Sequence, residues 1–214
     1  MNSNEPDTAF LTHEESRALA AEGGVFGTLF DWVQTYPMNT HAELGRAGVV
    51  CPYTRQARKL DSLRLGVCWT DPNDEERAFD AIRRGFEELR HIRVKSGQEQ
   101  FRTVVIAFPG CDSGAGLAML MRAQRRHRYY AMLRFRMMGF MHPRSESPGL
   151  WNPDFRPLRA PMPVLAVRYL VEQDAPFIAG QHLQWPAYLL RYGIAGAKRL
   201  QAVRRSRAAS TAIG

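Results

Sequence analysis

Helical spacing of apolar residues and short apolar runs divide the chain into distinct elements. Val25, Phe26, Leu29, Phe30 and Val33 recur every three or four positions, which predicts a helix from Val25 to Thr35. A shorter helix from His13 to Glu22 precedes it. Thr12 followed three residues later by Glu15 is a capping-box pattern, and Gly23-Gly24 ends the segment. Ala78, Phe79, Ile82, Phe86 and Leu89 form one face of a longer helix. Its start is expected at Thr70-Asp71-Pro72, with Asp74, Glu75 and Glu76 facing the positive helix end. Another helix is predicted from about Leu117 to Tyr130. Apolar runs at Leu63 to Trp69, Arg102 to Phe108, Leu133 to Met141 and Met162 to Leu170 predict strands. Short helices follow at Gln173 to Gly180 and Trp185 to Gly193, then a basic helix from Gly196 to Arg207.

This order predicts an α+β fold, a central mixed sheet of about four to five strands with packed helices, with α/β as the near alternative. Helical crossovers favour parallel neighbours, while the last strand can run either way. A single domain is expected over 13–193. A disordered lead over 1–12 precedes it, and a basic helix or tail over 194–214 follows.

Composition narrows the class. The chain has 214 residues and 45% apolar content, enough for one domain with a real core. No apolar run approaches the roughly 18 residues of a membrane span. The acidic, polar N-terminus lacks a signal-peptide pattern, so the expected location is cytoplasmic. The net charge is +8, and six of those charges lie in 191–214, leaving a nearly balanced body. That distribution, with no recognised motif, argues against nucleic-acid binding. The basic end reads either as a solvated terminus or as a dock for an acidic partner, and a homodimer or a pathway partner protein is compatible with it.

The candidate chemistry is sparse. Cys51, Cys68 and Cys111 form no CxxC pair, and Cys68 and Cys111 read as small buried apolar residues. The six histidines form no HxH, HxxxH or HExxH pattern, and GxSxG is absent. Pro109 to Gly116 sits between a strand and a helix, as a phosphate loop would. It lacks the following lysine and the GxGxxG spacing, so it reads as a turn capping the helix. Arg122, Arg125, Arg126, His127 and Arg128 form either a solvated basic face or a clamp for carboxylates.

Two local elements stand apart. Cys51 precedes Pro52, which suits the first position of a helix running through Leu60, so amide dipoles would favour a thiolate there. His142-Pro143 follows the third predicted strand and opens a stretch in which six of the 13 prolines lie between His142 and Arg168. Either Cys51 or His142 is chemically suited to be an axial haem ligand. Phe135, Met137, Met138, Phe140, Met141, Trp151 and Phe155 are candidate apolar walls, with plain core as the alternative. A structural role for His142 and a nucleophilic role for Cys51 both stay open.

The runs Leu44-Gly45-Arg46-Ala47-Gly48-Val49-Val50-Cys51-Pro52-Tyr53 and Asn152-Pro153-Asp154-Phe155-Arg156-Pro157-Leu158-Arg159, with His142-Pro143, resemble a bacterial family of unknown function. Its members often sit in natural-product gene clusters. The likeness covers roughly residues 28–193 and includes Arg168, Asp174 and the Ala187-Tyr188-Leu189 segment. More distantly, the arrangement is similar to the YqcI/YcgG family, which includes haem proteins that hydroxylate nitrogen on arginine-type substrates. The resemblance implies a haem b-dependent tailoring enzyme, an oxidoreductase acting on a nitrogen-bearing, amino-acid-like substrate. His142, alternatively Cys51, would ligate iron. Arg156, Arg159 and Arg168 would bind propionates or a substrate carboxylate, and Asp154 would relay protons or balance an arginine. The alternative is a non-enzymatic accessory protein that docks a partner through its basic end.

Overall fold

The computed structural model describes residues 9–211, with side chains placed through residue 205. Its helices are α1 (His13–Ala20), α2 (Gly24–Thr35), α3 (Pro52–Lys59), α4 (Glu75–His91), α5 (Gly114–Leu133), α6 (Ala175–Ile178) and α7 (Trp185–Thr211). Its strands are β1 (Leu63–Val67), β2 (Thr103–Ala107), β3 (Arg136–Met141) and β4 (Val164–Tyr169). The result is an α+β fold around a four-stranded mixed sheet of order β1-β2-β4-β3. β1 and β2 are parallel, as the α4 crossover between them requires, while β4 runs antiparallel to both β2 and β3.

Period-two alternation sorts the sheet's side chains into two cores. Val104, Ile106, Leu165 and Val167 face α4 and α5, where they meet Ile82, Phe86, Met119 and Leu120. Leu63, Leu65, Val105 and Val164 face the opposite way, against Leu29, Phe30 and Val33 of α2 and Ala57 of α3. β2 is therefore buried along its whole length, which explains its unbroken apolar sequence. Gly85 permits the close seating of α4, because a Cβ there would meet Ile106 Cδ1 at 2.8 Å. A third cluster joins Leu170, Ala175, Ile178 and Tyr188 to Met132 and Leu200.

Local capping follows the sequence in most places. The Thr12 hydroxyl accepts from the Glu15 N–H at 3.3 Å, and the Glu15 carboxylate accepts from the Thr12 N–H at 2.8 Å. Ser113 caps α5 by accepting from the Gly116 N–H at 3.1 Å, so the glycine-rich loop is a helix cap. The start of α4 differs from expectation. Asp71 is spent on the Asn73 N–H at 2.8 Å, and Asp74 caps the helix by accepting from Arg77 N–H at 3.0 Å. A capping carboxylate one turn later won that competition.

The described parts of both expected ends, residues 9–12 and 194–205, make contacts with the body. Residues 1–8 lie outside the described residues, but Leu11 pairs with Leu65 of β1 through hydrogen bonds of 2.9 and 3.0 Å. Phe10 also packs on the α4/α5 core. The two helices expected near the C-terminus are present and meet at Gly193, whose backbone is non-helical (φ 50°, ψ −132°); together they make up α7. Beyond that break Leu200 is buried, Val203 packs beside it, and Arg199 pairs with Glu172 at 2.9 Å. Residues 194–205 therefore belong to the body.

Ile106 lies where the sheet meets α4. Ile106→Ala is expected to destabilise the fold by about 2–5 kcal/mol, read as a lower urea midpoint at unchanged slope.

Candidate functional site

The expected site residues fall into two groups at opposite ends of the sheet. Val164 pairs with Met141 and Arg168 pairs with Met137, so four residues of β4, about 14 Å of strand, separate the levels. His142 follows Met141 at one end. Cys51 lies two residues before Tyr53, whose ring centroid is 5.0 Å from the Arg168 guanidinium, at the other. Cys51 and His142 therefore do not share a site, and Arg168 does not act with Arg156 and Arg159.

The first group sits in the loop 142–163, which joins β3 to β4. The backbone N–H of His142 donates to the Leu158 carbonyl at 3.1 Å, closing the loop on itself. Arg156 donates from Nε to Glu146 at 3.0 Å, and Arg159 donates from Nη2 to the other oxygen of the same carboxylate at 2.7 Å. These two guanidiniums hold Glu146 below its ordinary pKa. Glu146 was missed in the sequence because nothing local marks it, lying ten and thirteen residues before its partners. Asp154, expected to balance an arginine, is exposed and pairs with none among the described residues; only its N–H is engaged, by Asn152 Oδ1 at 3.0 Å.

His142 itself is half-buried against the Phe140 ring, with centroids 5.1 Å apart. Its Nδ1 is buried without a hydrogen-bond partner among the described residues. Burial, helped by the nearby Arg144 charge, pushes its pKa down and favours neutral imidazole.

The second group surrounds Cys51, which sits immediately before α3 with a partly exposed thiol that makes no capping hydrogen bond. Arg168 forms a bidentate pair with Asp174, at 2.8 and 2.5 Å, and its guanidinium lies 5.0 Å from the Tyr53 ring centroid. Asp174 also accepts from the Val171 N–H at 2.9 Å. With side-chain exposures of 18% for Arg168 and 2% for Asp174, this is a buried ion pair whose acceptor is already satisfied.

The two sequence runs meet in space. Gly45 adopts φ +74°, and a Cβ on it would lie 2.9 Å from the Trp151 carbonyl carbon. Asn152 Nδ2 donates to the Glu43 carbonyl at 2.9 Å, and the His41 and Phe155 rings meet at a tilt with centroids 4.6 Å apart. Arg46 folds back onto the carbonyls of Ala47, Val49 and Val50. Most of both motifs is thus spent on docking one loop to the other.

The residues present fit haem only in part. His142 offers a neutral imidazole, and Arg156 with Arg159 already grips an exposed carboxylate, the chemical equivalent of a propionate. The expected walls do not converge: Met138 and Phe140 pack on one core, Met141 on the second, and Phe135 and Met137 on the third. Trp151 is exposed. A single haem slot is therefore not formed by these side chains. Among the described residues, no group of three or more His, Cys, Asp or Glu is placed to hold a metal ion. The basic face of α5 is also no free clamp, since Arg122 and Arg126 pair with Glu75 and Glu76 of α4. His127 is stacked on Phe79 at 4.0 Å.

Arg168→Met would leave Asp174 buried without its cation. A loss of about 3–5 kcal/mol is expected in chemical denaturation, and Arg168→Met combined with Asp174→Asn, which removes the buried charge and keeps an acceptor for the Val171 N–H, should recover part of it.

No helix among the described residues is long and apolar enough to cross a membrane. No curated protein and no solved structure matches the chain. The family model described as a domain of unknown function, DUF6875, matches residues 26–203, a span that contains both docked motifs, the loop 142–163 and the Arg168–Asp174 pair. The chain belongs to that family.

Proposed function

We propose that this protein is a cytoplasmic tailoring enzyme of bacterial natural-product biosynthesis that oxidises a nitrogen-bearing, amino-acid-like substrate with haem b. The observation that carries the reading is His142: an imidazole kept neutral by burial, with a ring nitrogen that no described residue satisfies. Neutral imidazole is the form that ligates iron. Arg156 and Arg159 support it, because two guanidiniums that hold the exposed Glu146 carboxylate would hold a propionate or substrate carboxylate by the same geometry. When bound, haem supplies the oxidising chemistry. The chain's own part is to present the imidazole and to neutralise carboxylate charge, with the proline-restricted loop limiting the entropy lost in doing so. Seating the group requires the apolar side chains around β3 to repack. Cys51 takes no part in this reading.

The expected outcome is a Soret band and near-stoichiometric iron in protein produced with added haem. His142→Ala should remove or shift the band, and Cys51→Ser should leave it unchanged. A colourless, iron-free protein after haem addition overturns the reading.

One observation favours the alternative of a partner-binding protein. Leu183, in the turn before α7, and Leu190 and Ile194 within α7 are 75%, 79% and 77% exposed, a set of large apolar side chains left to solvent in this region. If this stretch mediates self-association, sedimentation should show a dimer that Leu190→Glu with Ile194→Glu converts to monomer. A wild-type monomer at all concentrations removes that reading.

A further inference from the structure

Three side chains on the α4/α5 side of the sheet meet at its far end from His142. Arg102 immediately precedes β2, Tyr169 ends β4 and Arg136 begins β3, and the register sets Arg136 opposite Tyr169. The Tyr169 hydroxyl accepts from Arg136 Nη2 at 2.8 Å and from Arg102 Nη1 at 3.1 Å. The Arg136 guanidinium also lies 3.5 Å from the Tyr169 ring centroid. Arg191 of α7 adds a third positive charge within electrostatic reach of Arg136.

This cluster is unbalanced in both charge and hydrogen bonding. Among the described residues, no carboxylate forms an ion pair with Arg102, Arg136 or Arg191. Desolvation, together with repulsion from Arg102 and Arg191, pushes the Arg136 pKa down. Arg102 Nε is buried with no acceptor. Tyr169 receives two hydrogen bonds, and no described group accepts its own O–H. Guanidiniums are donors only, and although Arg136 Nη1 also donates to the Arg134 carbonyl at 2.9 Å, the set holds more donors than acceptors and no anionic one. The contrast with the other face of the same strand is direct: Arg168, one residue away, has Asp174. Half-buried guanidiniums near one another are costly unless an anion compensates them.

We propose that Arg102, Arg136 and Tyr169 form an oxyanion-binding site for a phosphate or carboxylate group of a small ligand. The two guanidiniums and the phenolic O–H supply its hydrogen bonds, and Arg191 contributes charge at its margin. Guanidinium forks match the paired oxygens of both groups. The site is separate from His142 and does not depend on the haem reading.

Titration calorimetry on the full chain, with inorganic phosphate and separately with acetate at constant ionic strength balanced by chloride, tests the site. Saturable binding of at least one anion is expected. Preference for phosphate assigns a phosphoryl ligand, and preference for acetate assigns a carboxylate. Arg102→Met and Arg136→Met should each weaken binding at least tenfold. Tyr169→Phe keeps the ring under Arg136 and removes only the hydroxyl, so it should weaken binding several-fold with the fold intact. Absence of saturable binding by the wild-type chain overturns the proposal. So does Tyr169→Phe affinity equal to wild type, which decides the matter even if an arginine variant fails to fold.

Discussion

The position of β4 is the constraint on which the rest depends. The crossover through α5 carries the chain from β2 past one strand position before β3 is laid down. The gap left between β2 and β3 would expose unpaired backbone on both sides. β4 fills it, pairing with β2 through Thr103↔Arg168 and with β3 through Arg136↔Tyr169. That insertion buries Leu165 and Val167 on one face and Val164 on the other, and so ties the two cores together.

β3 and β4 are adjacent and antiparallel, a pairing that a hairpin turn of two to five residues could join. The chain instead uses residues 142–163. Such a loop inside a compact domain needs its own internal bonding. It is held by the His142–Leu158 backbone bond, the Glu146 clamp and the packing of Trp151 and Asn152 against Gly45. Arg144 adds a hydrogen bond to the Asp112 carbonyl. The prolines restrict the unfolded loop and so reduce the entropy lost in ordering it. Fixing a long loop this firmly at one end of the sheet creates a rigid frame around His142.

The same insertion sets the chemistry at the opposite end. Residues at strand termini, separated widely in sequence, become lateral neighbours once the strand order is fixed. Arg168 receives Asp174 from the segment that follows β4, while Arg102 and Arg136 share the Tyr169 hydroxyl and Arg136 adds the Arg134 carbonyl, with no carboxylate between them among the described residues.

The elements and their type are legible in the chain's local patterns. Capping at Thr12 and Ser113, the helix N-terminus at Pro52, the unbroken apolar run of β2 and the faces of α2 and α4 are all local effects, carried by residues within a turn or two of one another. The start of α4 lies one turn later than the sequence suggests because Asp71 and Asp74 are both competent caps, and Asp71 is engaged by the Asn73 N–H while Asp74 takes the Arg77 N–H. Strand order and partnership were beyond sequence reach. Nothing near Arg156 or Arg159 names Glu146 rather than Asp154 as their carboxylate, and nothing near Cys51 reveals Arg168 beside it or places His142 at the other end. Those pairings depend on contacts between distant segments, whose geometry is fixed only when β4 enters the sheet and the loop 142–163 closes on the turn at Gly45.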